Sequence, residues 1–107
     1  MKVLTISGSL REDAFSTKLA HAVEGLAPDG VEFTRYERLD EIPGFNADLE
    51  SSVPEVVEDL RNAIEAADAL LVITPEYNAG VPGQLKNAID WASRPHGESA
   101  LAGKPAA

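Results

Sequence analysis

The most constraining feature of the sequence is ALLVI at 69–73, five apolar residues in a row that lead directly into TPEYNAGVPG. A strand that is apolar on both faces is typical of the middle of a parallel sheet, where helices cover both sides. Two more strand patterns precede it, KVLTI at 2–6 and VEFTRY at 31–36, and helical patterns alternate with the strands. The order β-α-β-α-β-α predicts an α/β fold with a doubly wound parallel sheet and right-handed crossovers.

The three helical patterns are expected at about 14–26, after Pro54, and at 84–93. Ser52 and Glu55 have the spacing of a capping box, which would start the second helix. Each pattern has an apolar stripe that we expect to face the sheet. The stripes are Phe15, Leu19, Val23 and Leu26; Val53, Val57, Leu60 and Ile64; and Leu85, Ala88, Ile89 and Ala92.

Composition narrows the class of protein. The chain has 107 residues, which suits one domain, and a formal net charge of −9, which disfavours nucleic acid as a partner. The acids are spread along the chain, so a solvated acidic surface is the simplest interpretation, with adaptation to high salt as the alternative. Without cysteine, an apolar run of membrane-spanning length or a signal-peptide core, the sequence predicts a cytoplasmic protein with no membrane contact. Its two histidines, far apart in the sequence, give no metal motif.

Two loops follow the carboxyl ends of apolar strands, SGSLREDAFS after the first strand and PEYNAGVPG after the third. Open α/β sheets bind ligands beyond these ends, at the point where the winding direction reverses. If the first and third strands are neighbours, both loops meet at one crevice. The sequence therefore predicts a ligand site built from these two loops.

The first loop is suited to a phosphate. Arg11 supplies a forked cation, the loop leads into the amino end of a helix, and hydroxyls come from Ser7, Ser9, Ser16 and Thr17. Gly8 is expected to permit a tight turn after the strand. The alternative is an ordinary polar loop with Ser16 or Asp13 as the helix N-cap and Arg11 in solvent. The glycine pattern of neither a P-loop nor a dinucleotide-binding loop is present.

The second loop is suited to a planar ring. Prolines stiffen it, and Gly80 and Gly83 are expected to relieve the backbone, so that the loop could present successive backbone N–H groups to a planar heteroaromatic ligand, with Asn78 able to donate and accept. Tyr77 could stack on that ring or lie at a subunit contact, and Glu76 is either a general base or, more commonly for such a residue, solvated. A phosphate loop beside a ring-binding loop suggests a mononucleotide. Redox chemistry on a flavin is the simplest choice, because no acid–base pair or metal set is evident.

Three segments resemble the NADPH-dependent FMN reductase family, which includes quinone, azo-dye and chromate reductases of the flavodoxin-like superfamily. GSLREDAFSTKLA resembles its phosphate loop, IPGFNADLE its segment after the second strand, and TPEYNAGVPGQLKNAIDW its signature T-P-E-Y-N-x-[GS]-x-P-G-x-L-K-N-A-I-D-W. The later LAGKPAA is similar to the lead-in to a fourth strand.

The resemblance implies hydride transfer from NADPH or NADH through FMN to a quinone, azo compound, metal oxyanion or free flavin. It places Ser9, Arg11 and Ser16 around the phosphate and Pro75, Glu76, Tyr77 and Asn78 along the ring, largely through backbone. It implies no obligatory catalytic side chain. It also implies a homodimer or homotetramer formed through the helix after TPEYN, with Trp91 as a candidate contact.

Two departures from the family pattern stand out. Ala14 and Ser16 replace a serine and an asparagine, which we expect to weaken FMN binding several-fold to tenfold, since a neutral hydrogen bond is worth about 1 kcal/mol. The family continues into two more strands, in the sheet order 2-1-3-4-5, whereas these residues form an FMN-binding domain, 1–107, that lacks strands four and five. An apolar edge on ALLVI would then be open and would favour aggregation, chain exchange or complementation by another polypeptide. A fragment of a longer enzyme is the preferred interpretation.

Two other classes of protein share the predicted doubly wound fold. A non-catalytic flavodoxin-like binding or interaction module is the main alternative. A doubly wound phosphatase or response-regulator-like domain is disfavoured, because the sequence has neither the carboxylate cluster nor the cysteine that such a site uses.

Overall fold

The computed structural model describes residues 1–11 and 14–107, and Asp13, one of the two N-cap candidates, lies outside them. Three parallel strands form one sheet in the order β2-β1-β3. The strands are β1 (Lys2–Ser7), β2 (Glu32–Arg35) and β3 (Ala69–Ile73). The helices are α1 (Phe15–Gly25), α2 (Glu55–Ala66) and α3 (Gly83–Ala92), with short 3-10 helices at Leu39–Glu41 and Ala47–Leu49. The predicted α/β class and strand order are confirmed.

The register makes β1 the central strand. Leu4 of β1 pairs with Thr34 of β2 on one side and with Leu70 of β3 on the other. Because all three strands are parallel, their carboxyl ends lie along one rim of the sheet. The loops after β1 and β3 are therefore neighbours, as the sequence predicts.

The face of the sheet that carries α2 and α3 holds the hydrophobic core. Leu4 and Ile6 of β1 and Leu70 of β3 are buried there. The helices bury Val57, Leu60, Ile64, Leu85, Ala88, Trp91 and Ala92 against them. The inward stripes predicted for α2 and α3 are largely confirmed, except that Ile89 is exposed and Val53, which is partly buried, precedes α2.

The opposite face of the sheet carries α1, and the stripe predicted for this helix is wrong. Phe15 is 82% exposed and Leu26 is 81% exposed, whereas the residues buried within α1 are Ser16 and Ala20. Small side chains one helical turn apart let the α1 backbone lie close to the sheet. The larger apolar residues consequently point away from it.

Two predicted details of α2 and α3 are also wrong. No capping box forms: α2 begins at Glu55 after an N-cap at Pro54 with no side-chain bond, because the Glu55 carboxylate pairs instead with Arg38 at 2.9 Å. Trp91 is fully buried within the chain, packs edge-on against Phe45 with ring centroids 5.0 Å apart and donates from Nε1 to the carbonyl of Pro43. It is therefore not accessible as a subunit contact.

The far edge of β3 is partly paired. The amides of Leu70 and Val72 donate to the carbonyls of Pro105 and Ala107, each at 2.9 Å, and the amide of Ala107 donates to Leu70 at 3.1 Å. The expectation of an open edge is therefore wrong for this part of ALLVI. Within the described ranges, no helix is both long and apolar enough to cross a membrane.

Candidate functional site

Gly8 brings the two predicted loops together. Its amide donates to the carbonyl of Ile73 at 2.8 Å, and a Cβ placed on Gly8 would lie 2.7 Å from Thr74 Cβ and 2.9 Å from Leu85 Cδ2. The close approach of β3 and α3 thus requires glycine here. The backbone also bends at Gly8 after β1, as expected, although the φ angle of Gly8 is not positive.

A first cavity of about 380 Å³ opens between these loops, above the amino end of α3. Arg11 from the first loop and Tyr77 from the second both line it. The predicted meeting of the two loops is therefore confirmed. The other lining residues are Gly8, Ser9, Leu10, Pro82, Gly83 and Gln84.

A second cavity of about 480 Å³ adjoins the first and shares Ser9, Leu10 and Arg11 with it. Its remaining walls come from the end of β1, the start of α1 and the segment after β2: Ser7, Thr17, Arg35, Tyr36, Glu37, Leu39 and Asp40. The hydroxyls of Ser7 and Thr17 lie 3.1 Å apart within hydrogen-bonding distance. The shared residues make the two cavities one bent groove.

The start of α1 borders this groove, and no side chain of residues 1–11 or 14–107 caps it. The N-cap is Ala14, so the alternative assignment of Ser16 as N-cap is wrong. The first turn contains no acidic residue, and the hydroxyl of Ser9 accepts from the amide of Arg11 at 3.3 Å. The unbonded amides of a first helical turn and its partial positive charge favour an anion.

The second loop folds back on itself through a two-residue turn. Tyr77 and Gly80 exchange backbone hydrogen bonds of 2.8 and 3.0 Å, and the two residues between them have positive φ, 52° at Asn78 and 61° at Ala79. This is the geometry of a type I′ turn. The backbone is therefore left-handed at Asn78 and Ala79, and not at Gly80 and Gly83 as expected.

The structure brings half of the predicted site residues to the groove. Ser9, Arg11, Thr17 and Tyr77 line it. Ser16 is buried in the first turn of α1 instead. Pro75, Glu76 and Asn78 do not line the groove: Glu76 and Asn78 are exposed to solvent, and the Pro75 carbonyl accepts a hydrogen bond from Thr74 Oγ1 at 2.8 Å.

Sequence reasoning missed the contribution of the segment after β2, residues 36–40. The signal was available, since β2 is parallel to β1 and its carboxyl end must reach the same rim. Sequence reasoning also missed three further lining residues, Leu10, Pro82 and Gln84. Their residue types and positions in the sequence give no signal for ligand binding.

The charged groups of the groove differ in how they are paired. Arg35 donates to both carboxylate oxygens of Glu24, at 3.0 and 2.6 Å, and this hydrogen bonding raises the pKa of Arg35. Arg11 is exposed and has no ion pair with residues 1–11 or 14–107. Within the same ranges, no three His, Cys, Asp or Glu side chains are grouped to hold a metal ion. Arg11 is thus the cation best placed for a ligand anion.

The fold and the groove define an α/β protein of the mononucleotide-binding kind. The chain belongs to the NADPH-dependent FMN reductase family, whose sequence model matches residues 1–107.

Individual relatives agree with this assignment. The chain is 46% identical over 107 residues to the 2-hydroxy-1,4-benzoquinone reductase of a Burkholderia species, covering all of this chain and 58% of that protein. It is 47% identical over 108 aligned positions to an NAD(P)H-dependent FMN reductase of Pseudomonas aeruginosa, covering 57% of it. The solved structure of FerB, a flavoenzyme NAD(P)H:(acceptor) oxidoreductase from Paracoccus denitrificans, superimposes with a TM-score of 0.90 at 45% identity and covers 98% of this chain and 57% of that one. The chain thus spans somewhat over half the length of these relatives.

Proposed function

We propose that residues 1–107 form the FMN-binding part of an NAD(P)H-dependent oxidoreductase that passes hydride through FMN to a small-molecule acceptor. The observation that carries the proposal is the bent groove, in which Ser9, Leu10 and Arg11 belong to both cavities. A bound flavin supplies the redox chemistry itself. The protein residues bind the flavin, orient it and limit access of water.

The second cavity fits the phosphate end of FMN. Ser9 and Thr17 line it with hydroxyls, Arg11 adds a guanidinium, and α1 begins beside it with a first turn that contains Ser16 and no acidic residue. A guanidinium binds a phosphate with two parallel charge-assisted hydrogen bonds. Asp40 and Glu37 on the opposite wall favour a binding position close to α1, because they repel the anion.

The first cavity fits the ring end. Leu10 and Pro82 give it apolar walls, Tyr77 gives it an aromatic side chain, and Gly8 lines it with backbone alone. Pro75, Glu76 and Asn78 belong to the same loop and remain candidates for backbone contacts to the ring edge. No side chain of this groove is required as a proton donor, so the proposal assigns no catalytic residue.

The names of the relatives suggest the acceptor. The similar Burkholderia protein is named for a benzoquinone and others for quinones, so a quinone is the preferred acceptor for this protein too, with azo compounds, metal oxyanions and flavins as alternatives. We include in the proposal a cytoplasmic location, where NADH and NADPH are available, and a homodimer or homotetramer. With Trp91 buried, the exposed Ile89 on α3 replaces it as the candidate subunit contact.

The test is the visible spectrum of the full protein that carries this chain. We expect a yellow preparation, or uptake of added FMN, with flavin absorption that NADH or NADPH bleaches without oxygen and that a benzoquinone restores. A matched Arg11→Ala variant should take up less FMN. A colourless protein that takes up no added FMN would contradict the proposal and favour a non-catalytic flavodoxin-like module.

A further inference from the structure

Three polar side chains on one face of α3 hold the segment that connects β2 to α2. Gln84 Nε2 donates to the carbonyls of Leu39 and Ile42 at 2.7 and 2.9 Å. Asn87 Nδ2 donates to Pro43 at 2.9 Å, and Trp91 Nε1 donates to the same carbonyl at 2.8 Å. Positions 84, 87 and 91 are separated by three and four residues, so the three side chains lie on the same face of α3.

Gln84 differs from the other two because it also belongs to the groove. It lines the first cavity, while its amide nitrogen reaches the carbonyl of Leu39, a residue that lines the second cavity. Gln84 therefore connects a wall of the first cavity to a residue in a wall of the second. A ligand in the first cavity that extends toward the second lies beside a wall that Gln84 helps to form.

The orientation of the Gln84 amide is fixed by these bonds. A flipped amide would place Oε1 within 3 Å of two carbonyl oxygens, where acceptor faces acceptor, so Nε2 must point at Leu39 and Ile42. No donor in residues 1–11 or 14–107 bonds to Oε1. What Gln84 can offer a ligand in the groove is thus an acceptor, and its natural partner is an O–H or N–H group.

We propose that Gln84 is a flavin-binding residue whose Oε1 accepts a hydrogen bond from a hydroxyl of the ribityl chain, where this chain crosses from the first cavity to the second. The inference rests on the proposed function, since it takes the ring in the first cavity and the phosphate in the second. The family signature leaves this position unspecified, as P-G-x-L-K-N, so the contact is a property of this chain.

The experiment compares two flavins on matched variants of the full protein. Riboflavin carries the hydroxyl chain, and lumiflavin has the same ring with a methyl group in its place. Gln84→Met keeps the length of the side chain and removes the acceptor, so riboflavin should bind about five-fold more weakly, the value of one neutral hydrogen bond, while lumiflavin binding is unchanged.

The control is Asn87→Leu, which releases the same connecting segment at Pro43 without touching either cavity. It should lower stability and leave the affinity ratio of the two flavins unchanged. A second measurement needs no variant: wild-type protein should bind riboflavin several-fold more tightly than a flavin with an unsubstituted pentyl chain. An unaltered ratio in Gln84→Met, or equal binding of the riboflavin and pentyl flavins by wild type, would overturn the inference while flavin binding and the proposed function stand. If the wild-type protein binds none of riboflavin, lumiflavin and FMN, the proposed function itself fails.

Discussion

The two faces of the sheet are packed very differently. On the α2/α3 face, large side chains such as Leu60, Ile64 and Trp91 are almost completely buried. On the α1 face, small residues at 16 and 20 contact the sheet, and Phe15 and Leu26 lie in solvent. The apolar periodicity of the sequence is similar for the helices on the two faces. A periodic apolar stripe therefore identifies a helix, but it does not identify which side of that helix packs against the sheet.

The two faces also contribute differently to the groove. The α1 face supplies the helix start and the hydroxyls of Ser7 and Thr17, which are suited to an anion. The α2/α3 face supplies Gln84 and the rigid support under the connecting segment. The tightly packed α2/α3 face therefore supports the groove, whereas the groups suited to the charged end of a ligand come from the α1 face.

The largest expected difference comes from truncating one aromatic residue on each face. Trp91→Ala should lower the free energy of unfolding by about 3–5 kcal/mol, because it leaves a large cavity and removes the bond to Pro43. Phe15→Ala should change it by less than about 0.5 kcal/mol, because Phe15 is mostly in solvent. Urea unfolding measures both, and equal losses would contradict the contrast between the faces.

At the rim where the faces meet, Gly8→Ala should destabilise by about 1–3 kcal/mol, since the added methyl group overlaps Thr74 and Leu85. Gly25→Ala at the end of α1 is the matched control, because nothing lies within 4 Å of its added Cβ. The control should be neutral or slightly stabilising by thermal unfolding. A tolerated Gly8→Ala would show that β3 and α3 do not approach the first loop so closely.

Thr5 provides a test of the α1 face alone. Thr5 is fully buried on β1. It lies two residues before Ser7, whose hydroxyl contacts Thr17 of α1, so both side chains are on the α1 face of the sheet. The Oγ1 atom of Thr5 has no hydrogen-bond partner in the described part of the chain. Thr5→Val should raise the free energy of unfolding by about 1 kcal/mol, because it replaces an unsatisfied hydroxyl with a methyl group of similar size. Thr34→Val, on exposed β2, is the control and should be nearly neutral. Destabilisation by Thr5→Val would indicate a hydrogen-bond partner for Oγ1.

Tyr36, on the α2/α3 face, gives the smallest effect near neutral pH. Burial, reinforced by Asp59, raises the pKa of Tyr36 from 10.0 to about 12. The unfolded chain then loses this proton first, so wild-type stability should fall as pH rises from about 10 to 12, whereas Tyr36→Phe should lack this component. Near neutral pH the variant should lose only about 0.5 kcal/mol, because the bond from its hydroxyl to Val56 is long at 3.4 Å. If the free energies of unfolding of wild type and Tyr36→Phe changed in the same way between about pH 10 and 12, the raised pKa of Tyr36 would be contradicted.

The sequence predicts the sheet order and the meeting of the two loops well, because β1 and β3 have unambiguous apolar patterns and parallel topology places their ends together. It predicts α1 poorly, since the helix packs through Ser16 and Ala20, residues that carry no hydrophobic signal. It also predicts a capping box that Arg38 prevents by pairing with Glu55, an interaction between segments 17 residues apart. Side chains such as Gln84 join the site only through such tertiary contacts, which single-sequence patterns do not encode.

The most direct test of the central claim, that one FMN spans both cavities with its phosphate at Arg11, is a comparison of FMN and riboflavin binding by wild-type protein and Arg11→Ala. The variant should lose about 1–3 kcal/mol of FMN affinity through the lost charge-assisted contact and none of its riboflavin affinity. Unchanged FMN binding, or an equal loss for both flavins, would contradict the claim.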